Sequence, residues 1–325
     1  LKNVKQTFLI VKLGAIGDVV MALPILTYIK KSYPKAKIFW ICGSAVLPIL
    51  KATSLVDQII IGDENKIAKG NLFVKLREIF KIWSKIGFKI FDVIITAYSD
   101  PRYRLLTLFN IGKKRNSFFQ WFGRRKLIYG RYMADEYVRL ISKDAFAEGK
   151  MPDIELPAVE HLFNRGKDKV MALALGGSSG PSDDSLRRWS LENYLSLAYK
   201  LKEKGITVVL TGLKIQDERF ADFVNLIDKT SLLELVSIYK QCDIVITHDC
   251  GSFHLAKLAK VNVLGLFGPT IPTSRYREDG KTKIIWGGDH LACRPCYDGK
   301  CYANCSDNRC MKAISVEEVL KNIFG

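Results

Sequence analysis

Two loops in the sequence join an apolar run to a helix-like run through glycine and a single acid. The first lies in FLIVKLGAIGDVVMALPIL, residues 8–26, with Gly14, Gly17 and Asp18 at the bend. The second lies in VITHDCGSFHLAKLA, residues 245–259, and holds Asp249, Cys250, Gly251 and His254. A helix that starts near Gly251 leaves its first N–H groups free, and with the helix dipole they attract an anion. Gly251 lets backbone come close to a phosphate. His254, one turn further in, can donate a hydrogen bond to the same anion. A third run, LGLFGPTIP at residues 264–272, ends in Gly268-Pro-Thr270, where Thr270 can offer its hydroxyl and amide to a diphosphate. A carboxylate such as Asp18 can accept a proton. The purely structural readings are capping of a helix by Asp18 or Asp249 and a core histidine at 254.

These loops need elements to hold them. FLIV, KIFWIC, DQIIIG and FDVIIT alternate with helical patterns in the first half of the chain. KVMALALG, ITVVLTG, DIVIT and VNVLGLFG do the same in the second half. That is the rhythm of β-α-β units around parallel sheets. QDERFADFVNLI, SLLELVSIYKQC and GSFHLAKLAK read as helices between the later strands. KGNLFVKLREIFKIWSKIGF reads as an amphipathic helix, with Leu72, Leu76, Ile79 and Trp83 near helical spacing, docked on the first sheet or, less simply, on a membrane. The rhythm lapses in MPDIELPAVEHLFNRG, so the boundary falls near residue 160, giving units 1–160 and 161–325. Two open α/β sheets facing across a cleft would bind ligands at the carboxyl ends of their strands.

The 325-residue chain has a net charge of +17, spread unevenly. Residues 1–165 hold 28 Lys/Arg against 14 Asp/Glu, a net of +14. Residues 101–134 contain no acid and interleave aromatics with Arg102, Arg104, Lys113, Lys114, Arg115, Arg124, Arg125, Lys126 and Arg131. Such a stretch suits a solvated face, an anionic membrane surface, a phosphorylated substrate or a nucleic acid. No RNP motif, helix-turn-helix signature or regular zinc finger supports the last. No apolar run approaches the roughly 20 residues needed to cross a bilayer, and Lys12 and Asp18 interrupt the first. The expectation is a soluble cytoplasmic chain.

The motifs together resemble glycosyltransferase family 9, the heptosyltransferases of lipopolysaccharide assembly. D-C-G-S-F-H-L-A followed by L-F-G-P-T is similar to the family's donor-site signature, and K-L-G-A-I-G-D-V-V-M-A-L-P to its N-terminal motif. R-R-W-S resembles its Lys-x-Trp-Pro segment, and the end of the chain its Cys-x-Pro-Cys…Cys-Met tail. The likeness runs from about residue 7 to the C-terminus and is loosest over residues 60–150.

The resemblance implies a GT-B fold of two Rossmann-like domains, with the acceptor on the N-terminal one and the nucleotide sugar on the C-terminal one. It implies an inverting transfer of heptose from ADP-heptose to the lipopolysaccharide inner core, with Asp18 as general base. Other sugars or acceptors of the same family are the alternative. Arg187 then stands at the family's phosphate-side lysine. Asp249, Cys250, Gly251 and His254 become donor contacts, with Gly268 and Thr270 beside the diphosphate. Ser178, Ser179 and one of Asp217 or Glu218 are further donor candidates. Gly14, Gly17, Arg124, Arg125 and Lys126 fall to the acceptor side. An anionic acceptor and peripheral contact with the inner membrane surface would give the basic half its partners, and no nucleic acid is expected. The chain departs from the family pattern at Cys250 (usually Ser or Thr), Arg187 (Lys), Ser190 (Pro) and Ile271 (often an acid).

No D-x-D sequence occurs, which agrees with transfer that uses neither metal nor cofactor. Cys293, Cys296, Cys301, Cys305 and Cys310 fall within 18 residues. The first pair has zinc-knuckle spacing and the rest is irregular, so reduced structural thiols are favoured over zinc.

Overall fold

The computed structural model describes residues 5–118, 127–142, 149–177, 185–297 and 302–325. Arg124, Arg125, Lys126, Ser178, Ser179 and Cys301 therefore lie outside the described residues. The chain divides into two compact units, Leu1–Glu155 and Leu156–Gly325.

The first unit holds five parallel strands: β1 (Thr7–Val11), β2 (Lys37–Cys42), β3 (Gln58–Ile61), β4 (Ile90–Thr96) and β5 (Ile111–Ser117). Their order is β3-β2-β1-β4-β5. The second unit holds β6 (Val170–Ala174), β7 (Thr207–Thr211), β8 (Val224–Asn225), β9 (Ile244–His248), β10 (Asn262–Phe267) and β11 (Thr282–Trp286). They are also parallel, in the order β11-β10-β9-β6-β7-β8. Helices cover both faces of such sheets, so central strands read as unbroken apolar runs. β1 and β6 show this: Phe8–Val11 and Val170–Ala174 are fully buried. In each sheet the direction of strand addition reverses once, between β1 and β4 and between β6 and β9. Crevices at such reversals are where open α/β sheets take ligands.

Local chemistry sets the helix ends. Ser190, Ser231 and Ser315 each accept a backbone N–H as N-caps, and Glu234 completes a capping box. Ser190 thus has its own use where the family pattern has proline. Trp189 beside it is buried, and its indole donates to the Ile314 carbonyl at 2.9 Å, tying the C-terminal segment to the core.

Two expectations are corrected. QDERFADFVNLI forms no α-helix. A 3₁₀ turn over Glu218–Asp222, capped by Asp217, leads into the short strand β8. The competing force is the Arg219 guanidinium, which clamps Asp217 and Glu192 and leaves Phe220 buried. The helix Leu72–Ile86 exists, but it buries Glu78, Ile79, Ile82 and Ile86, and Leu72 and Leu76 face outward. Glu78 accepts the Asp63 N–H at 3.0 Å, and Trp83 donates to the Leu105 carbonyl at 2.9 Å. Those two bonds fix the rotation of the helix. Beyond these, β5 runs through the basic stretch. As an edge strand it tolerates IGKKRNS, which carries no apolar run.

Candidate functional site

In the first unit the candidate residues gather at the reversal between β1 and β4. Lys12 follows β1 directly and is buried to 3% exposure. Its ammonium donates to Asp18 Oδ2 at 2.8 Å and sits 4.2 Å from the centre of the Tyr98 ring. Burial disfavours the Lys12 charge, yet Asp18, Tyr98 and Glu64 together outweigh it and hold the ammonium above its ordinary value. Asp18 is not an N-cap. The helix Ile16–Ala22 is capped by Ala15, and Asp18 occupies its first turn, part-exposed, with its carboxylate turned to Lys12.

The loop between them is pinned from behind. The Tyr98 hydroxyl accepts the Leu13 N–H at 2.9 Å and the Gly14 N–H at 3.3 Å. It donates to Glu64 Oε1 at 2.9 Å, as does Tyr103, whose ring stacks on Tyr98 at 3.6 Å. Any Cβ at Gly14 would collide with the Glu64 carboxylate. Gly14 is therefore a packing requirement of this network, and Gly17 sits inside the helix carrying Asp18. Burial pushes the Tyr98 and Tyr103 hydroxyls well above their usual range, so both stay protonated donors.

The second unit concentrates positive charge around one acid. Asp249 follows β9 and is 2% exposed. Its Oδ2 accepts the Thr270 hydroxyl at 2.7 Å and lies 3.6 Å from Arg187 Nη1. Its Oδ1 lies 3.8 Å from Arg275 Nε, and its main-chain carbonyl accepts from Arg187 Nη1 at 2.6 Å. Burial alone would raise the Asp249 carboxyl. Arg275, Arg187, the Thr270 bond and His254 outweigh it and hold the acid below its ordinary value. The N-cap of the helix Gly251–Leu258 is Cys250, not Asp249, and its side chain makes no capping bond. The Cys250 thiol instead meets the Thr247 hydroxyl at 3.4 Å. His254 is buried in the first turn of that helix. The arrangement is two guanidiniums, a helix N-terminus and a histidine around one carboxylate, a net positive cluster of the kind suited to a diphosphate.

The structure alters how several of these residues can act. The Thr270 proton is committed to Asp249, which leaves its amide for a ligand. Gly268 faces the tail: a Cβ there would strike Met311 Sδ at 2.7 Å and Cys310 Sγ at 2.8 Å. Asp217 lies apart, bound to Arg219, whose hydrogen bonds bring its carboxyl down to about 2. It lines a concavity of about 340 Å³ with Gln216, Glu218, Asn225, Ile227 and Asp228.

Sequence reasoning missed Arg275, Tyr297 and Tyr302. Arg275 lies in TSRYRED, which reads as an ordinary polar loop. The tail brings the two tyrosines in. Cys296 and Tyr297 donate their N–H groups to the Pro269 carbonyl, and Tyr297 bridges to Tyr302. Tyr302 then lies 5.8 Å from the Arg187 guanidinium and Tyr297 lies 5.7 Å from that of Arg275. Cys293, Cys296, Cys305 and Cys310 are free thiols, and no group fit to hold a metal occurs among the described residues.

Comparison with known proteins bears on the arrangement. Residues 135–306 match the model of glycosyltransferase family 9 (heptosyltransferase). A curated relative, lipooligosaccharide heptosyltransferase 2 of Campylobacter jejuni subsp. jejuni serotype O:2, is 26% identical over 324 residues, covering 94% of this chain and 93% of its own. Among solved structures, the glycosyl transferase family 9 from Veillonella parvula DSM 2008 superposes with a TM-score of 0.77 at 17% identity, covering 99% of this chain and 97% of that one. The E. coli heptosyltransferase WaaC with ADP-2-deoxy-2-fluoro heptose gives 0.67 at 16% identity, covering 98% of both chains. Likeness of this extent shows the fold: GT-B, with two Rossmann-like units built on parallel sheets.

Proposed function

The chain belongs to glycosyltransferase family 9, and from that premise we propose that it transfers a heptose from ADP-heptose to the lipopolysaccharide inner core with inversion at the anomeric carbon. The observation that carries the proposal is the Arg187–Asp249–Arg275 cluster at the start of the helix Gly251–Leu258. Two guanidiniums and the amides of the helix start receive the diphosphate of the donor, and their positive charge stabilises it as it leaves. The unit holding this cluster takes the nucleotide sugar, and the basic unit takes the anionic acceptor. The relatives' names, lipooligosaccharide heptosyltransferase 2 and WaaC with an ADP-heptose analogue, support this donor and this class of acceptor.

Asp18 is the base. The acceptor hydroxyl oxygen forms a bond to the anomeric carbon, the bond from that carbon to the diphosphate oxygen breaks, and the proton passes to Asp18. ADP leaves with the bonding pair. Lys12 orients the carboxylate from below, while Tyr98, Tyr103 and Glu64 keep the loop in place. Since guanidiniums and helix amides carry the phosphate charge, turnover should survive a chelator. The reaction takes place on the cytoplasmic side, where nucleotide sugars are made. The test is release of nucleoside diphosphate from a panel of nucleotide sugars, offered with a truncated core acceptor. ADP-heptose should be turned over at least tenfold faster than ADP-glucose, UDP-glucose or GDP-mannose. Equal or better use of another sugar would reassign the donor.

A further inference from the structure

The helix Leu72–Ile86 carries more apolar surface than its sheet covers. Ile79, Ile82 and Ile86 lie against the core. At 100° per residue, Leu72, Phe73, Leu76 and Phe80 extend the same apolar arc by about a third of a turn. They are 73%, 74%, 54% and 68% exposed. The patch continues onto the next segment through Trp83, whose ring meets Phe109 edge-on at 4.3 Å. Leu105, Leu108 and Phe109 there are also exposed. Arg77 borders the arc about 40° beyond Phe73, and Lys81 and Lys85 lie further round the helix. The only acid of the helix, Glu78, is buried, accepts the Asp63 N–H and pairs with Lys81 Nζ at 3.3 Å.

A contiguous patch of large apolar side chains with a polar rim marks a docking surface. Its chemistry selects the partner. Pairing with a second copy would set like charges together, because residues 1–155 hold 27 Lys/Arg against 13 Asp/Glu. An anionic lipid surface neutralises them. The helix has 15 residues, about 22 Å, which is too short to span a bilayer and suited to lying in its plane.

We propose that this face docks on an anionic bilayer, with Leu72, Phe73, Leu76 and Phe80 entering the acyl boundary, Arg77 at their edge on lipid phosphate, and the net positive charge of the unit drawing it to the surface. Docking is independent of the donor chemistry, so it holds or fails apart from the heptose assignment.

Flotation of the full chain with vesicles tests it, without donor or acceptor. Vesicles of phosphatidylethanolamine and phosphatidylglycerol should capture the protein, and phosphatidylcholine vesicles should capture much less. Leu72→Ser, Phe73→Ser, Leu76→Ser and Phe80→Ser together should lower partitioning at least tenfold. Arg77→Glu should lower it at least fivefold and weaken the salt dependence, since each cation near such a surface is worth roughly a fivefold change in binding. Thermal unfolding monitors the fold. If the fourfold variant does not fold, Phe73→Ser alone, at 74% exposure, carries the test. Turnover of a soluble truncated acceptor should be unchanged in every variant. Wild-type binding that ignores lipid charge, or variants that bind as well as wild type, would overturn the proposal. So would a wild-type dimer that Phe73→Ser dissociates and that shows no vesicle binding, because that result gives the face to a second copy.

Discussion

Replacing Arg275 by alanine should weaken ADP binding while sparing adenosine. The side chain is largely buried, with Nε 3.8 Å from Asp249 Oδ1 and the guanidinium 5.7 Å from the Tyr297 ring. The guanidinium is already held by those neighbours, so a diphosphate beside it gains a charge-assisted hydrogen bond without ordering a free chain. One such bond is worth about 1.5–3 kcal/mol. Alanine also exposes the ligand to more of the Asp249 charge, which pushes the loss toward the upper end. The Kd for ADP should rise roughly 10- to 150-fold. Arg275→Lys should recover part of this, because lysine restores the charge and loses the planar fork. Titration calorimetry with ADP and with adenosine makes the comparison, and a thermal melt confirms the fold, which Arg187 and Thr270 continue to support through Asp249. A folded Arg275→Ala protein that binds ADP within twofold of wild type would refute the placement of the diphosphate.

Two further variants probe the charges. Lys12→Met should lower turnover with little change in ADP affinity. It should also move the acid limb of the pH–rate profile upward, because an ammonium 2.8 Å from Asp18 favours the carboxylate; an unmoved limb would remove Lys12 from any role in positioning the base. Asp249→Asn should destabilise the second unit by about 3–5 kcal/mol at neutral pH, since it strips the counter-charge from two largely buried arginines. The Asp249 acid is held below its ordinary value in the fold, so its contribution is complete above about pH 4 and is lost as the pH falls through the lower folded value. The gap between wild type and variant in denaturant melts should therefore be constant from pH 7 to about 4 and close in stronger acid.

What the sequence made legible follows from locality. FLIV with Gly14, Gly17 and Asp18, and DIVIT with Asp249 and Gly251, each keep strand, loop and helix start within twenty residues. Their chemistry can be read without knowing the fold. The supports cannot. Glu64, Tyr98 and Tyr103 come from the ends of β3 and β4 and from the turn beyond, and only the strand order brings them behind Lys12. Arg275, Tyr297 and Tyr302 converge for the same reason, through the tail's bonds to Pro269. The buried face of the helix Leu72–Ile86 is not legible, because periodicity reports how wide an apolar arc is and not which part the sheet covers. Strand β5 escaped notice because an edge strand can be built from IGKKRNS, and the stretch 217–227 because one guanidinium outweighed its helical pattern.

The central claim is that Asp18 takes the acceptor proton. It is tested most directly by turnover of Asp18→Asn, measured as ADP release from ADP-heptose with a truncated core acceptor, alongside ADP affinity. Asparagine keeps the shape and can still meet Lys12 through its carbonyl, but it cannot hold a proton. Turnover should fall by on the order of 10²–10⁴, the usual worth of a positioned base, with ADP affinity unchanged within twofold. A folded Asp18→Asn protein turning over within tenfold of wild type would contradict the account.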